Sequence, residues 1–309
     1  MSTTLVVGHI NPDTDTICAA IAHAWFLNET GHEAEAITSG SLNKETAYVL
    51  GRFNIPTPTL RQSFKEGDSL VIVDTNNPEE LLPGFEEATI TQIIDHHKLA
   101  GGISTPDPIS ITIRPVACTC TILLEIMQAA SVTPTPAIAG IMLSSIISDT
   151  LKFTSPTTTD TDRNAAETLK AICGIDTDDL AEGLFTAKSD LSGMEAADLL
   201  VIDSKIFTLK GKKIRISVLE TTKPANAIAM KEALVSAARD MKSREEIDAV
   251  FLYVVDILNS NAELIMPDEF EQEIAARAYN TDVTGDTVLL PGIVSRKKQM
   301  VPNLEAALS

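Results

Sequence analysis

The feature that most constrains this chain is the alternation, through its first half, of short continuous apolar runs with segments of helical period. Thr3–Val7, Glu35–Thr38, Ser69–Val73, Thr89–Ile94 and Ile109–Ile113 read as strands. Thr16–Leu27, Lys44–Phe53, Thr121–Ala130, Ala137–Ser148 and Thr161–Ile172 read as helices, with Gly31 closing the first. Strands that are apolar without alternating are buried on both faces. The pattern therefore predicts an α/β fold whose N-terminal part is a mostly parallel sheet flanked by helices. Ligands of such sheets sit beyond the carboxyl ends of the strands, where the strand order reverses.

After a helical run over Thr177–Lys188, the polar stretch Ser189-Asp190-Leu191-Ser192-Gly193 is the best linker in the sequence. Beyond it lie strand-like runs Ser204–Leu209 and Lys213–Leu219 around a Lys210-Gly211-Lys212 turn, then a helix from Pro224 to Met241. Val250–Val255 and Ala262–Met266 read as strands, followed by an acidic helix over Asp268–Tyr279 and a basic end segment. This second part is expected to be a smaller α/β domain with a mixed sheet. The expected boundaries are a first domain over 1–188, a hinge linker over 189–193 and a second domain over 194–309, in keeping with a length of 309 residues.

With 43 acidic against 24 basic residues, the chain carries a net charge of −19. Duplex nucleic acid and anionic membranes require clustered Lys and Arg, so neither is an expected partner. No stretch reaches the ~18 apolar residues of a membrane span, and the N-terminus runs into Thr-Thr-Leu-Val-Val-Gly-His with no basic or long apolar leader. The four cysteines, Cys18, Cys118, Cys120 and Cys173, form no C-x-x-C pair, and Cys118 and Cys120 read as small buried hydrophobes. A reducing, cytoplasmic location is expected.

Chemistry is concentrated at the ends of the apolar runs. The first strand leads into Gly8-His9-Ile10-Asn11-Pro12-Asp13-Thr14-Asp15, the third ends in Asp74, and the fourth ends in Asp95-His96-His97. The helix over 137–148 ends in Asp149, an unfavourable place for an acid next to the negative end of the helix dipole. Asp13 or Asp15 alone could be a helix cap. Buried carboxylates on several elements, however, are costly unless paired or bound to metal, so convergent metal binding is the stronger expectation. Two imidazoles with Asp13, Asp15, Asp74 and Asp149 outnumber the ligands of one cation, which implies two ions sharing a carboxylate. Mixed nitrogen and oxygen donors suit Mn²⁺, Co²⁺, Fe²⁺ or Zn²⁺ better than Mg²⁺. The expected reaction class is hydrolysis of a phosphoryl compound.

An anionic substrate must be received locally by so acidic a chain. Ser295-Arg296-Lys297-Lys298-Gln299 follows Gly292 and would suit a strand that swings over a phosphate, with Lys205 a further candidate. The single tryptophan, Trp25, lies in the first helix and reads as core, so no aromatic platform for stacking bases is evident. The expected design places metals in the first domain, cations in the second and the substrate in the cleft between them.

These motifs resemble the DHH phosphoesterases, named for the triplet that stands here as Asp95-His96-His97, and more narrowly the family II inorganic pyrophosphatases, which use manganese or cobalt. The resemblance spans essentially the whole chain, through Gly8-His9-x-x-Pro12-Asp13-x-Asp15, Val73-Asp74-Thr75-Asn76, Asp95-His96-His97, Ser148-Asp149-Thr150-Leu151, Ser155-Pro156-Thr157 and Ser295–Gln299. It implies a DHH catalytic domain followed by a DHHA2-like substrate-binding domain. It implies His9, Asp13 and Asp74 on one Mn²⁺ or Co²⁺, with Asp15, Asp74, His96 and Asp149 on the other. His97 is implied at the substrate, Asp95 behind a histidine, and Lys205, Arg296 and Lys297 on the phosphates. The implied activity is hydrolysis of pyrophosphate to two orthophosphates by attack of a hydroxide bridging the metals, with additional Mg²⁺ arriving with the substrate. A homodimer is implied as well. The short spacings from Asp74 to Asp95 and on to Asp149 leave no room for the inserted nucleotide-sensing modules that some relatives carry.

The alternative within the superfamily is a phosphoesterase acting on short oligonucleotides or 3′-phosphoadenosine phosphate. Those relatives carry a glycine-rich, histidine-containing motif in the second domain, and this chain has no histidine after His97.

Overall fold

The computed structural model describes residues 3–308, which divide into two compact units at Ala187/Lys188. The first unit contains β1 (Thr4–Val7), α1 (Thr14–Glu29), β2 (Ala34–Thr38), α2 (Lys44–Arg52), β3 (Thr59–Leu60), β4 (Ser69–Val73), β5 (Thr89–Asp95) and β6 (Ser110–Ile113). Helices α3 (Thr119–Ala129), α4 (Pro136–Asp149), α5 (Asp160–Cys173) and α6 (Thr177–Lys188) follow. The six strands form one wholly parallel sheet in the order β3-β2-β1-β4-β5-β6. The order reverses between β1 and β4, so the crevice at their carboxyl ends is the expected ligand position of a doubly wound sheet. Val7 is paired with Ile72 and Val73 with Ile94, which sets the ends of β1, β4 and β5 side by side.

Both sheet faces are buried, as the unbroken apolar strands require. Val6, Val71, Val73 and Ile94 face a layer of α1, α3 and α4 through residues such as Ile17, Leu123 and Ile141. Leu5, Val7, Leu70, Ile72 and Ile93 face the opposite layer with Phe64, Leu81 and Phe85. Each such side chain contributes roughly 1.5–3 kcal/mol on full burial. Trp25, read as core, is only partly buried; it packs against the layer of α1, α3 and α4 and lines an apolar pocket of about 520 Å³ with Ile55, Pro56 and Ile138.

The second unit contains α7 (Ala196–Leu199), β7 (Ser204–Leu209), β8 (Lys212–Thr221), α8 (Pro224–Ile228), α9 (Lys231–Glu245), β9 (Ala249–Asp256), β10 (Asn261–Ile265), α10 (Glu269–Tyr279), β11 (Thr287–Pro291) and α11 (Val301–Ala307). Its sheet, β11-β10-β9-β8-β7, is mixed: β8 and β9 are parallel and the other pairs antiparallel.

Two expectations are corrected by the structure. The helix expected from Pro224 to Met241 is two helices, because the chain turns at Ala229 and Met230, where Met230 packs against the core beside Ala227 and Leu234. Strand β11 was not recognised. The basic run is no strand but a single helical turn over Arg296–Met300 that leads into α11. Gly292 (φ 75°) turns the chain out of β11. Gln299 then ties the turn down, accepting from the N–H groups of Val294 and Ser295 at 2.9 Å each and donating to Gly292 O at 2.8 Å.

Candidate metal centre

Beyond β1 the chain must pass close to its neighbours. A Cβ on Gly8 would lie 2.5 Å from Thr16 Cγ2 and 3.0 Å from Val73 O, so only glycine fits without displacement. Asp13 caps α1, its Oδ1 accepting from Thr16 N at 2.9 Å, while its Oδ2 faces His9 Nε2 at 3.7 Å. One side chain thus both caps α1 and faces His9.

Asp74 lies at the centre. Its φ of 61° puts a non-glycine residue in the left-handed region, a strain of roughly 1–3 kcal/mol that persists only where surroundings over-determine it. Its N–H is held by Ile94 O at 2.9 Å. Asp74 Oδ2 accepts from Thr16 Oγ1 at 2.6 Å and Oδ1 from Thr119 Oγ1 at 3.0 Å. Two imidazoles face the same carboxylate, His9 Nε2 at 3.5 Å from Oδ2 and His96 Nε2 at 3.3 Å from Oδ1. His9 Nδ1 lies 2.8 Å from Ile10 O and His96 Nδ1 lies 3.2 Å from Val116 O. A carbonyl only accepts, so each Nδ1 carries the proton and each Nε2 is left to face the carboxylates.

Asp15 is buried under α3 and α4. Ser145 Oγ donates to its Oδ1 at 2.5 Å, Cys118 Sγ at 3.1 Å and Cys120 N at 3.3 Å, while Thr119 N donates to Oδ2 at 2.7 Å. Cys118 is therefore more than the buried hydrophobe read from sequence, because its thiol is one of the groups that hold a carboxylate. Asp149, at the end of α4, has a buried Oδ2 with no hydrogen-bond partner. The three residues after Thr150, Leu151, Lys152 and Phe153, all have positive φ, a local distortion directly behind Asp149.

The electrostatics follow from burial and crowding. Burial pushes the Asp15 carboxyl up to about 6, aided by the charge on Asp74 and opposed by His96. Burial and the neighbouring Asp15 drive Asp149 well above the usual carboxylate range. Burial alone would lower the histidines and raise Asp74. The contacts with His9 and His96 instead hold Asp74 far below its usual range, while His9 rises to about 11 and His96 to about 9. His97 is raised by its 2.9 Å contact with Asp95 Oδ1, and Asp95, which burial would raise, is lowered by donors from His97 and Asn76. Asn76 Nδ2 stands 2.5 Å from Asp95 Oδ2.

The donor atoms gather in overlapping sets: His9 with Asp13 and Asp74, Asp74 with His96 and His97, and Asp15 with His96 and Asp149, each set lying within 4.8 Å. These residues fit metal binding. The His–carboxylate spacings of 3.3 to 3.8 Å exceed hydrogen bonds but suit two ligands that each stand roughly 2.0–2.2 Å from one first-row ion such as zinc. An orphaned buried carboxylate oxygen on Asp149 points the same way. Of the first-unit residues singled out in the sequence, His9, Asp13, Asp15, Asp74, His96, His97 and Asp149 thus come together, with Asp95 behind His97.

In the second unit, Lys205 on β7 and Arg296 and Lys297 on the basic turn line one pocket of about 410 Å³ with Phe207 and Val301. Arg296 is held by Asp203, donating to its carbonyl at 3.0 Å and its carboxylate at 2.7 Å. Sequence reasoning missed Thr16 and Thr119, in the first turns of α1 and α3, and Ser145, inside the apolar α4. Only their being polar there could have flagged them.

A parallel sheet with ionisable groups at its reversal point, followed by a mixed-sheet unit with a basic pocket, defines a two-domain DHH protein. Residues 3–146 match the DHH family, N-terminal domain, and residues 182–307 match the DHHA2 domain. A probable manganese-dependent inorganic pyrophosphatase of Bacillus licheniformis is 38% identical over 309 residues, covering 100% of this chain and 99% of the relative. The manganese-dependent inorganic pyrophosphatase of Bacillus subtilis is 36% identical, covering 100% of both. Among solved structures, a putative family II inorganic pyrophosphatase of Methanococcus jannaschii superposes with a TM-score of 0.69 at 33% identity, covering 99% of each chain. The chain belongs to the manganese-dependent, family II inorganic pyrophosphatases.

Proposed function

We propose that this protein hydrolyses pyrophosphate to two orthophosphates with a pair of Mn²⁺ or Co²⁺ ions in the first unit, and that additional Mg²⁺ arrives with the substrate. The single observation that carries the reading is the centring of His9, His96, Asp13, Asp15 and Asp149 on and around one buried carboxylate, Asp74. In this reading His9, Asp13 and Asp74 hold one ion and Asp15, Asp74, His96 and Asp149 the other, with Asp74 shared. Such a pair, when bound, supplies a water acidified to near neutrality and compensates charge on the transferring phosphoryl group.

The chain's own residues do the rest. Asp74 offers one oxygen to each histidine's side, and the hydroxyls of Thr16 and Thr119 keep those oxygens apart and fixed. His97, with Nδ1 committed to Asp95 and about half of its side chain exposed, turns Nε2 outward to a phosphate oxygen, and the Asp95 contact raises its pKa, which favours the protonated, donating form. Lys205, Arg296 and Lys297 neutralise the phosphates, Arg296 as a fork braced by Asp203 and the lysines as point charges. The same reading makes the protein a cytoplasmic homodimer. No described helix is long and apolar enough to cross a membrane.

The test is orthophosphate release by metal-stripped protein reloaded with Mn²⁺ in the presence of Mg²⁺, run beside a dinucleotide and 3′-phosphoadenosine phosphate. Turnover of pyrophosphate alone is expected. Cleavage of the nucleotides with pyrophosphate untouched would overturn the substrate assignment while leaving the metal centre standing.

A further inference from the structure

Residues 116–120 run along the back of the metal centre, and four of the five deliver a group to it. Val116 O receives His96 Nδ1 at 3.2 Å, Cys118 Sγ donates to Asp15 at 3.1 Å, Thr119 donates to Asp15 at 2.7 Å and to Asp74 at 3.0 Å, and Cys120 N donates to Asp15 at 3.3 Å. The fifth, Ala117, turns its N–H the other way, to Asp162 at 3.1 and 3.2 Å.

Asp162 lies in the first turn of α5, is fully buried, and belongs to none of the sets that could hold a metal. Besides Ala117 N, its carboxylate accepts from Thr121 Oγ1 at 2.7 Å, from Thr159 N at 2.8 Å and from Thr159 Oγ1 at 2.7 Å. Thus Asp162 grips the 116–120 segment at Ala117 and again just beyond it at Thr121, while Thr159 fastens the carboxylate to its own helix. Capping α5 would need only the Thr159 contacts. The contacts with Ala117 and Thr121 reach 45 and 41 residues along the chain and serve no helix end of α5. The neighbouring Arg163 donates to Phe153 O at 3.0 Å, on the strained turn behind Asp149, so one helical turn holds both segments that back the site.

We infer that Asp162 is a positioning residue of the metal centre, fixing through Ala117 and Thr121 the segment that orients His96, Asp15 and Asp74. An amide in its place keeps the shape but offers one acceptor oxygen to four converging donors, so one grip must be released. Partners behind metal ligands typically change affinity by roughly 10–100-fold when altered.

The inference rests on the reading that this cluster holds Mn²⁺, and the test separates the two. Mn²⁺ affinity, read from the paramagnetic resonance of free Mn²⁺, and the visible spectrum of the Co²⁺-loaded protein are compared for parent, Asp162→Asn and Thr159→Ala. The expected result is roughly tenfold or more weaker Mn²⁺ binding and an altered Co²⁺ spectrum in Asp162→Asn. Thr159→Ala removes the cap hydroxyl but keeps the Thr159 N–H, Ala117 and Thr121 contacts of Asp162, so it should lower the Tm while keeping parental affinity and spectrum. Parental affinity in Asp162→Asn, or an equal loss in Thr159→Ala, would overturn the inference and leave the metal centre intact. A parent that takes up no Mn²⁺ would overturn both. Should Asp162→Asn give no native circular dichroism spectrum, Thr121→Val decides by the same measurement, with several-fold weaker Mn²⁺ binding expected and parental affinity overturning the inference.

Discussion

Thr16 donates its hydroxyl to Asp74 Oδ2 at 2.6 Å, from the first turn of α1 to the end of β4. The bond joins the reversal point of the sheet across β1, and it sets one oxygen of the carboxylate that both histidines face. A hydrogen bond to an ionised group contributes roughly 1.5–3 kcal/mol. Thr16→Val should therefore weaken Mn²⁺ binding about ten- to a hundredfold with little change in side-chain volume. Calorimetric titration of metal-stripped protein measures this directly, and unchanged affinity would remove Thr16 from the supporting shell.

Asp74→Asn should be far more severe, since an amide oxygen without the charge cannot serve two cations. Where the proposed two-ion centre predicts two ions per chain in the parent, elemental analysis of the variant is expected to find one or none. Two ions retained would mean that another carboxylate is shared.

Metal uptake should release protons. His9 at about 11 and His96 at about 9 hold protons at neutral pH in the metal-free protein, and ligation requires both Nε2 atoms bare. Mn²⁺ affinity is expected to rise with pH between 6 and 9, and titrations in buffers of different ionisation enthalpy should return a net proton loss. A pH-independent affinity would contradict the imidazole ligands.

The same shifts fix the sign of the stability profile. A raised imidazole pKa contributes stability that is complete below about 6.5 and is lost as pH climbs through the folded values. The Tm of metal-free protein should then fall from pH 7 to pH 10, and Mn²⁺ should flatten or reverse that fall by mass action. A Tm that rises across this window without metal would show that the histidines do not gain protons on folding.

Arg296→Ala and Lys297→Ala are expected to depress turnover of pyrophosphate by roughly 10²–10³-fold each, the scale of losing a donor to developing charge. Both should leave Mn²⁺ content unchanged. Loss of metal would tie the basic turn to the first unit's cluster instead of to phosphate.

Much of this was legible in the sequence because the strands of a doubly wound sheet announce themselves as unbroken apolar runs. Where such a run ends in an ionisable residue, as at Asp74 and Asp95-His96-His97, the position on the sheet and the chemistry are read together. The supporting shell was not legible. Cys118, Ser145 and Asp162 have partners between 41 and 130 residues away, and nothing local distinguishes Ser145 from any small residue of an apolar helix. The basic run misled for a different reason. Its helical turn is set by Gln299 reaching back to Gly292, a side-chain contact that neither period nor propensity records.

The strand order also dictates when the centre can exist during synthesis. Strand β1 leaves the ribosome first, yet its neighbour on the far side, β4, is made some 65 residues later, and Asp149 closes the set. Every residue proposed to hold metal precedes residue 150, and the first unit has its own hydrophobic layers. Domains generally fold as units, N-terminal first, and every residue proposed to hold metal is made before β7 of the second unit is translated.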